Sequence, residues 1–324
     1  MIAGASTTIV RRGEVELAVS HAGQGPLVLL LHGFPELAYS WRHQFAPLVA
    51  AGYTVAAPDQ RGFGASSSPL EIASFCAEEL AADAAAIIDH FGGPAVVIGH
   101  DWGAPVAWHT ALRHPEKVRA VGSLSVPHAR RATASPLESM RRAAGPDHIF
   151  YVDYFQTPGL AEGEFEANIH DSLLGFLWSI SGDAPKDERF RPIPKGGRFI
   201  DSITVPNTLP SWLTAADLQV YVDAFTKSGF RGGLNWYRNV NRNWEMSADL
   251  ADAMVQQPAL FVTGTRDPAR NPGTIEHLRE VVPNLRVLET LEGCGHWTQQ
   301  ERPDAVTGFL LQFLAAIDSE TRTM

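Results

Sequence analysis

Asp101 stands in Ala95-Val96-Val97-Ile98-Gly99-His100-Asp101-Trp102-Gly103-Ala104, where an apolar run passes into a helical pattern through small residues. A carboxylate thrust out at such a bend can attack a saturated carbon, form an ester, and be regenerated when water attacks the ester carbonyl. The first step needs no base, and the helix N-terminus that follows supplies N–H groups and partial positive charge that keep the carboxylate ionised. Opening the ester calls for activated water, hence a histidine and an acid to orient it. Asp267, in Thr263-Gly264-Thr265-Arg266-Asp267-Pro268, and His296, in Gly293-Cys294-Gly295-His296-Trp297, follow downstream in the order nucleophile, acid, histidine. Upstream, His32-Gly33-Phe34-Pro35-Glu36 closes another apolar run. Each residue also has a plainer use. Asp101 can cap a helix, Asp267 can make the turn before Pro268, and one histidine among 12 is more often structural than catalytic.

Four short β-rich apolar runs, at 27–31, 53–57, 95–98 and 259–262, are closed by Gly, Pro or Asp, as strands buried on both faces of a parallel sheet are. Between them lie helical patterns. In 75–91, Leu80, Ala84, Ile87, Ile88 and Phe91 recur at helical spacing before Gly92-Gly93 ends the run. Alternating strand and helix predicts βαβ units. The pattern changes after Pro127: the stretch to Glu245 is rich in aromatics, among them Tyr151, Tyr154, Phe176, Trp236 and Tyr237, and carries no convincing buried strand. Strand signals return at 258–262 and 286–288, and an amphipathic helix near 306–317 closes the chain. The expected organisation is an α/β core split into 1–127 and 246–324, with a helical cap over 128–245 acting as a lid.

Gly99-x-Asp101-x-Gly103 has the form of a nucleophile elbow with aspartate in place of serine, and nucleophile, acid, histidine is the chain order of the α/β-hydrolase fold. That fold also takes its oxyanion-hole N–H groups from the residue after the nucleophile and from an upstream loop, which implies the backbone N–H groups of Trp102 and Phe34 as holders of the oxyanion formed when water attacks the ester. Through His32-Gly33-Phe34-Pro35, Gly99-His100-Asp101-Trp102-Gly103, Asp267 and Gly295-His296-Trp297, the sequence resembles the soluble epoxide hydrolases over nearly its full length. Two further segments tie it to that family: Tyr154-Phe155-Gln156-Thr157-Pro158-Gly159 and Asn235-Trp236-Tyr237-Arg238-Asn239 resemble the motifs carrying the ring-opening tyrosines. By position, the resemblance implies that Tyr154 and Tyr237 donate to the oxygen of a small apolar epoxide, which water then converts to a diol. The chemistry agrees, because ring opening leaves an alkoxide that needs a proton, and a phenol with pKa about 10 keeps one at neutral pH. Phe34, Trp102 and Trp297 are expected to wall the apolar pocket, each with core filling as its alternative. No cofactor or metal is required by this chemistry.

A net charge of −10 opposes binding to phosphate backbones, and no cationic run interleaved with aromatics appears, so nucleic acid is not an expected partner. The two cysteines, Cys76 and Cys294, lie far apart in sequence, which disfavours a disulfide framework and fits a reducing compartment. The N-terminal stretch meets charge before any long apolar run, and the longest apolar run is too short to span a bilayer. A soluble cytoplasmic protein is expected, and a homodimer is compatible with the fold. A haloalkane dehalogenase shares the aspartate nucleophile and could use Trp102 as a halide donor, but paired phenols suit an alkoxide better. A serine esterase is excluded at the elbow. A non-catalytic ligand-binding homologue of the same fold is the remaining alternative, and it is expected to lack at least one of these groups.

Overall fold

Alternation of buried side chains builds the molecule in layers. The computed structural model describes residues 2–323. Strands β1 (Ser6–Arg12), β2 (Val15–Ala22), β3 (Leu27–Leu31), β4 (Thr54–Pro58), β5 (Ala95–His100), β6 (Val118–Leu124), β9 (Ala259–Gly264) and β10 (Leu285–Leu291) form one eight-stranded sheet in the order β1-β2-β4-β3-β5-β6-β9-β10. From β4 to β10 all neighbours are parallel, whereas β1 and β2 pair antiparallel with each other and β2 antiparallel with β4. Every residue of β3, β5 and β9 is buried, as runs apolar on both faces require. Val28, Leu30, Val96, Ile98, Leu260 and Val262 point to one face, under helices α1 (Arg42–Ala50) and α14 (Pro303–Thr323). Leu29, Leu31, Val97, Val121 and Phe261 point to the other, under α2 (Ala77–His90) and α3 (Gly103–Arg113).

The predicted strands at 27–31, 53–57, 95–98 and 259–262 are present within a residue or two. The antiparallel β1–β2 edge was not foreseen: its alternation is weak, with only Val10 buried in β1. Between β6 and β9 the chain leaves the sheet for a helical segment: α4 (Pro136–Ala144), α5 (Tyr151–Tyr154), α6 (Leu160–Ala167), α7 (Ile169–Ser179), α8 (Ala215–Ser228), α9 (Arg231–Arg238) and α10 (Val240–Met246). Its sole β structure is a pairing of two-residue strands β7 (His148–Ile149) and β8 (Ile193–Pro194). Phe155, Phe165, Phe176, Tyr221 and Phe230 of this segment join the same apolar cluster as Leu29 and Val97, so the segment is packed continuously onto the sheet. Short helices α11 (Pro272–Glu276), α12 (Leu278–Val281) and α13 (Thr298–Glu301) complete the C-terminal part.

The sheet order places β4 on one side of β3 and β5 on the other. Such a reversal opens a crevice at the carboxyl ends of the two diverging strands, where ligands bind in open α/β sheets. The loops leaving β3 and β5 carry Phe34 and Asp101. Among the described residues, no helix is long and apolar enough to cross a membrane. Cys76 and Cys294 are both free and buried.

Candidate active site

Asp101 follows directly on β5 with φ +49°, in the left-handed region that side-chain-bearing residues avoid. Two glycines permit this bend. A Cβ at Gly99 would lie 2.0 Å from the carbonyl oxygen of Gly103, and one at Gly103 would lie 2.2 Å from that of Leu31. Gly103→Ala is therefore expected to destabilise the protein by about 1–3 kcal/mol, the usual cost of overpacking, and to depress activity because the strain falls beside Asp101. A denaturant midpoint unchanged from wild type would contradict this.

The Phe34 N–H donates to Asp101 Oδ1 at 2.7 Å, and His296 Nε2 stands 3.2 Å from Oδ2. Gly33 is a third glycine under constraint, since a Cβ there would fall 2.2 Å from Asp101 Oδ1. Burial works to raise the Asp101 carboxyl, but the hydrogen bond and charge of His296, with the Phe34 N–H, hold it below the ordinary range. Trp102, the other expected oxyanion donor, is the next residue and leads into α3.

His296 Nδ1 bonds Asp267 Oδ1 at 2.9 Å, and Asp267 is fixed in turn by the Ala269 N–H at 2.8 Å. Burial disfavours the imidazolium, yet Asp267 and Asp101 on its two nitrogens outweigh this and raise His296 well above its ordinary value. The three residues anticipated as nucleophile, base and orienting acid thus form one hydrogen-bonded chain.

Behind this chain lies polar support that the sequence did not reveal. His100 Nε2 and Ser125 Oγ both bond the carbonyl oxygen of His296 at 2.8 Å. The other nitrogen of His100 meets Glu36 Oε2 at 2.7 Å, and that same oxygen accepts the Gly33 N–H at 3.1 Å. Gln299 and Gln300 donate to Glu36 Oε1. Burial tends to raise the Glu36 carboxyl, but His100 and the Gly33 N–H hold it low. Glu36 therefore connects the loop bearing Phe34 to the loop bearing His296. Their adjacency to recognised motifs, one residue before Asp101 and two after Phe34, was the available signal.

A cavity of about 690 Å³ opens above Asp101, lined mainly by apolar side chains, with Phe34 and Trp102 in its wall as expected. Its polar groups beside Asp101 and His296 include two phenols, Tyr237 of α9 and Tyr151 of α5. The rings of Tyr151 and Tyr237 lie 6.0 Å apart, and Tyr237 packs edge-on against Trp102 at 5.0 Å and Phe34 at 5.4 Å. Burial and then the charge of Asp101 raise both hydroxyls above the usual phenol value, so both are protonated donors at neutral pH.

Two expectations need correction. Tyr154 does not line the cavity: its hydroxyl donates to Glu164 of α6. Burial and this carboxylate push it up to about 12. Tyr151, one turn earlier on the same short helix, occupies the place expected of Tyr154. Trp297 is also absent from the cavity wall. It is fully buried behind His296, its ring 4.9 Å from the imidazole and its indole N–H on the Leu177 carbonyl at 2.7 Å. Among the described residues no group of His, Cys, Asp and Glu is arranged to hold a metal ion.

Residues 26–303 match the α/β hydrolase fold family, the class that the sheet order and elbow define. The chain is 44% identical over 318 residues to epoxide hydrolase A of Mycobacterium tuberculosis, covering 96% of this chain and 97% of that one. Among solved structures, an epoxide hydrolase from an endophytic Streptomyces superposes with TM-score 0.95 at 42% identity, over 98% of this chain and 97% of that one. Epoxide hydrolase A from Mycobacterium thermoresistibile gives TM-score 0.90 at 44% identity, over 96% and 98%. The chain belongs to the epoxide hydrolase family.

Proposed function

We propose that this protein converts small apolar epoxides and water into vicinal diols through an ester on Asp101. The observation that carries this is the single cavity in which Asp101 and His296 share the wall with two protonated phenols, Tyr151 and Tyr237. Segment 128–245 acts as the lid that brings the phenols over the core. Asp101 attacks an oxirane carbon, the C–O bond breaks, and one phenol gives its proton to the departing oxygen while the other supports it by hydrogen bonding.

Ester formation removes the negative charge facing His296 Nε2. The imidazolium then loses one of the two carboxylates that stabilised it, and its proton restores the phenol. Neutral His296, still oriented by Asp267, takes a proton from water as that water attacks the ester carbonyl. The Phe34 and Trp102 N–H groups hold the oxyanion. Collapse breaks the acyl–oxygen bond, the leaving alkoxide takes the proton from His296, and the new Asp101 carboxyl returns its own proton to the imidazole. Epoxide and water are consumed and diol is released.

The pH dependence follows from this change of charge. In the free protein the raised His296 is cationic at neutral pH, and in the ester its pKa falls. Below that lowered value the base stays protonated and hydrolysis stalls, so the ester-hydrolysis rate is expected to climb with pH through a limb that ester formation does not share. Single-turnover fluorescence at a series of pH values separates the two steps, and identical pH profiles for both would contradict the scheme.

The reaction itself is tested with a panel of small aryl epoxides alongside a haloalkane, scoring diol against halide. Diol without halide is expected. Halide release with no diol would transfer the site to dehalogenation, for which Trp102 would serve as donor.

A further inference from the structure

We infer that Glu301 is a positioning residue for the ester-hydrolysis half of the reaction, clamping the segment after α7 to the loop that carries His296. The inference rests on the reading of His296 as the base in that step.

Glu301, at the end of α13, is 6% exposed and accepts three backbone N–H groups. Two belong to the histidine loop, Gly295 on Oε2 at 2.8 Å and Trp297 on Oε1 at 3.1 Å. The third, Gly182 on Oε2 at 2.9 Å, comes from just beyond α7. One carboxylate therefore brackets His296 on both sides and ties it to the cap. Other bonds follow the same seam. The His296 N–H donates to the Ile180 carbonyl at 3.0 Å, and Arg266 Nη1 donates to the Gly182 carbonyl at 2.7 Å. The backbones approach so closely that neither side tolerates a side chain: a Cβ at Gly182 would lie 2.3 Å from the Gly293 carbonyl oxygen, and one at Gly295 would lie 2.1 Å from the Gly182 nitrogen.

A buried backbone N–H left without its acceptor is costly. Without Glu301, the Gly295 and Trp297 N–H groups lose their acceptor and the loop must shift. The two half-reactions respond differently. Ester formation requires Asp101 and the phenols, held by β5, α5 and α9. Ester hydrolysis alone requires the His296 ring between Asp267 and the reacting water, where misplacement by about 1 Å can cost roughly 100-fold.

The test is single-turnover kinetics of Glu301→Gln with an epoxide that the wild type turns over, with intact mass as the readout of ester. The amide keeps the volume but presents an N–H₂ where an acceptor is needed. Ester formation within about twofold of wild type, hydrolysis slowed tenfold or more, and accumulation of a one-substrate adduct are the expected results. Gly182→Ala strains the same contact from the cap side and is expected to give the same split, which covers the case in which Glu301→Gln fails to fold. Unchanged kinetics in a folded variant would overturn the inference, as would equal slowing of both steps. If wild type forms neither diol nor adduct, the underlying reading of Asp101 fails instead, so the two failures are distinguishable.

Discussion

His296→Gln is expected to form the Asp101 ester and not release it. In the structure His296 touches the nucleophile by the 3.2 Å contact to Oδ2, and Phe34 donates to Oδ1 at 2.7 Å, so the attacking carboxylate keeps the Phe34 hydrogen bond when the imidazole is lost. Glutamine can occupy the space but cannot take a proton from water. General-base catalysis by a positioned side chain is typically worth about 100- to 10,000-fold, and a loss of that order in diol release is expected while ester formation persists. Intact-mass measurement after mixing with saturating epoxide should show the protein shifted by one substrate mass. Absence of any adduct in a folded variant would count against Asp101 as nucleophile.

The second large effect separates two tyrosines three residues apart. Tyr151→Phe is expected to slow ring opening by about 100- to 1,000-fold, the usual cost of removing one donor to a developing oxyanion. The double variant Tyr151→Phe with Tyr237→Phe should abolish it. Tyr154→Phe should leave the rate of ester formation near wild type, because that hydroxyl is engaged with Glu164 away from the cavity. Its expected effect is on stability, from the Glu164 acceptor left without its phenol, and a thermal melt reads that separately. The reverse ranking, with Tyr154→Phe inactive and Tyr151→Phe active, would overturn the assignment made from the cavity.

This distinction shows where sequence stops being informative. Asp101, Asp267 and His296 were legible together because each follows a strand, the fully buried β5 and β9 for the two aspartates and the half-exposed β10 for the histidine, and parallel strands deliver their carboxyl ends to one edge of a sheet. The strands themselves were legible because residues buried on both faces are mostly apolar, as all of β3 and the first four residues of β5 and of β9 are. Tyr151 and Tyr154 lie on one short helix with phenols in both places. The choice between them is made by Glu164 on the next helix, a partner no local pattern indicates. Trp297 was misplaced for a similar reason: an indole next to His296 can face the cavity or the core, and the Leu177 carbonyl draws it inward. Glu36 and His100 sat inside recognised motifs, but their bonds cross between loops far apart in sequence and appear only after folding. The β1–β2 edge carries no such signal, because a half-exposed antiparallel pair lacks the continuous apolar signature of the central strands.

The central claim is that a substrate carbon is bonded for a time to an Asp101 oxygen. A single turnover in ¹⁸O-labelled water, with protein in excess over epoxide, tests it most directly. Water attacks the ester carbonyl, so the first diol should carry unlabelled oxygen from the carboxylate, and the label should appear in the peptide containing Asp101. Label in the diol of that first turnover, with none in the peptide, would mean that water attacks the epoxide itself and that no ester forms.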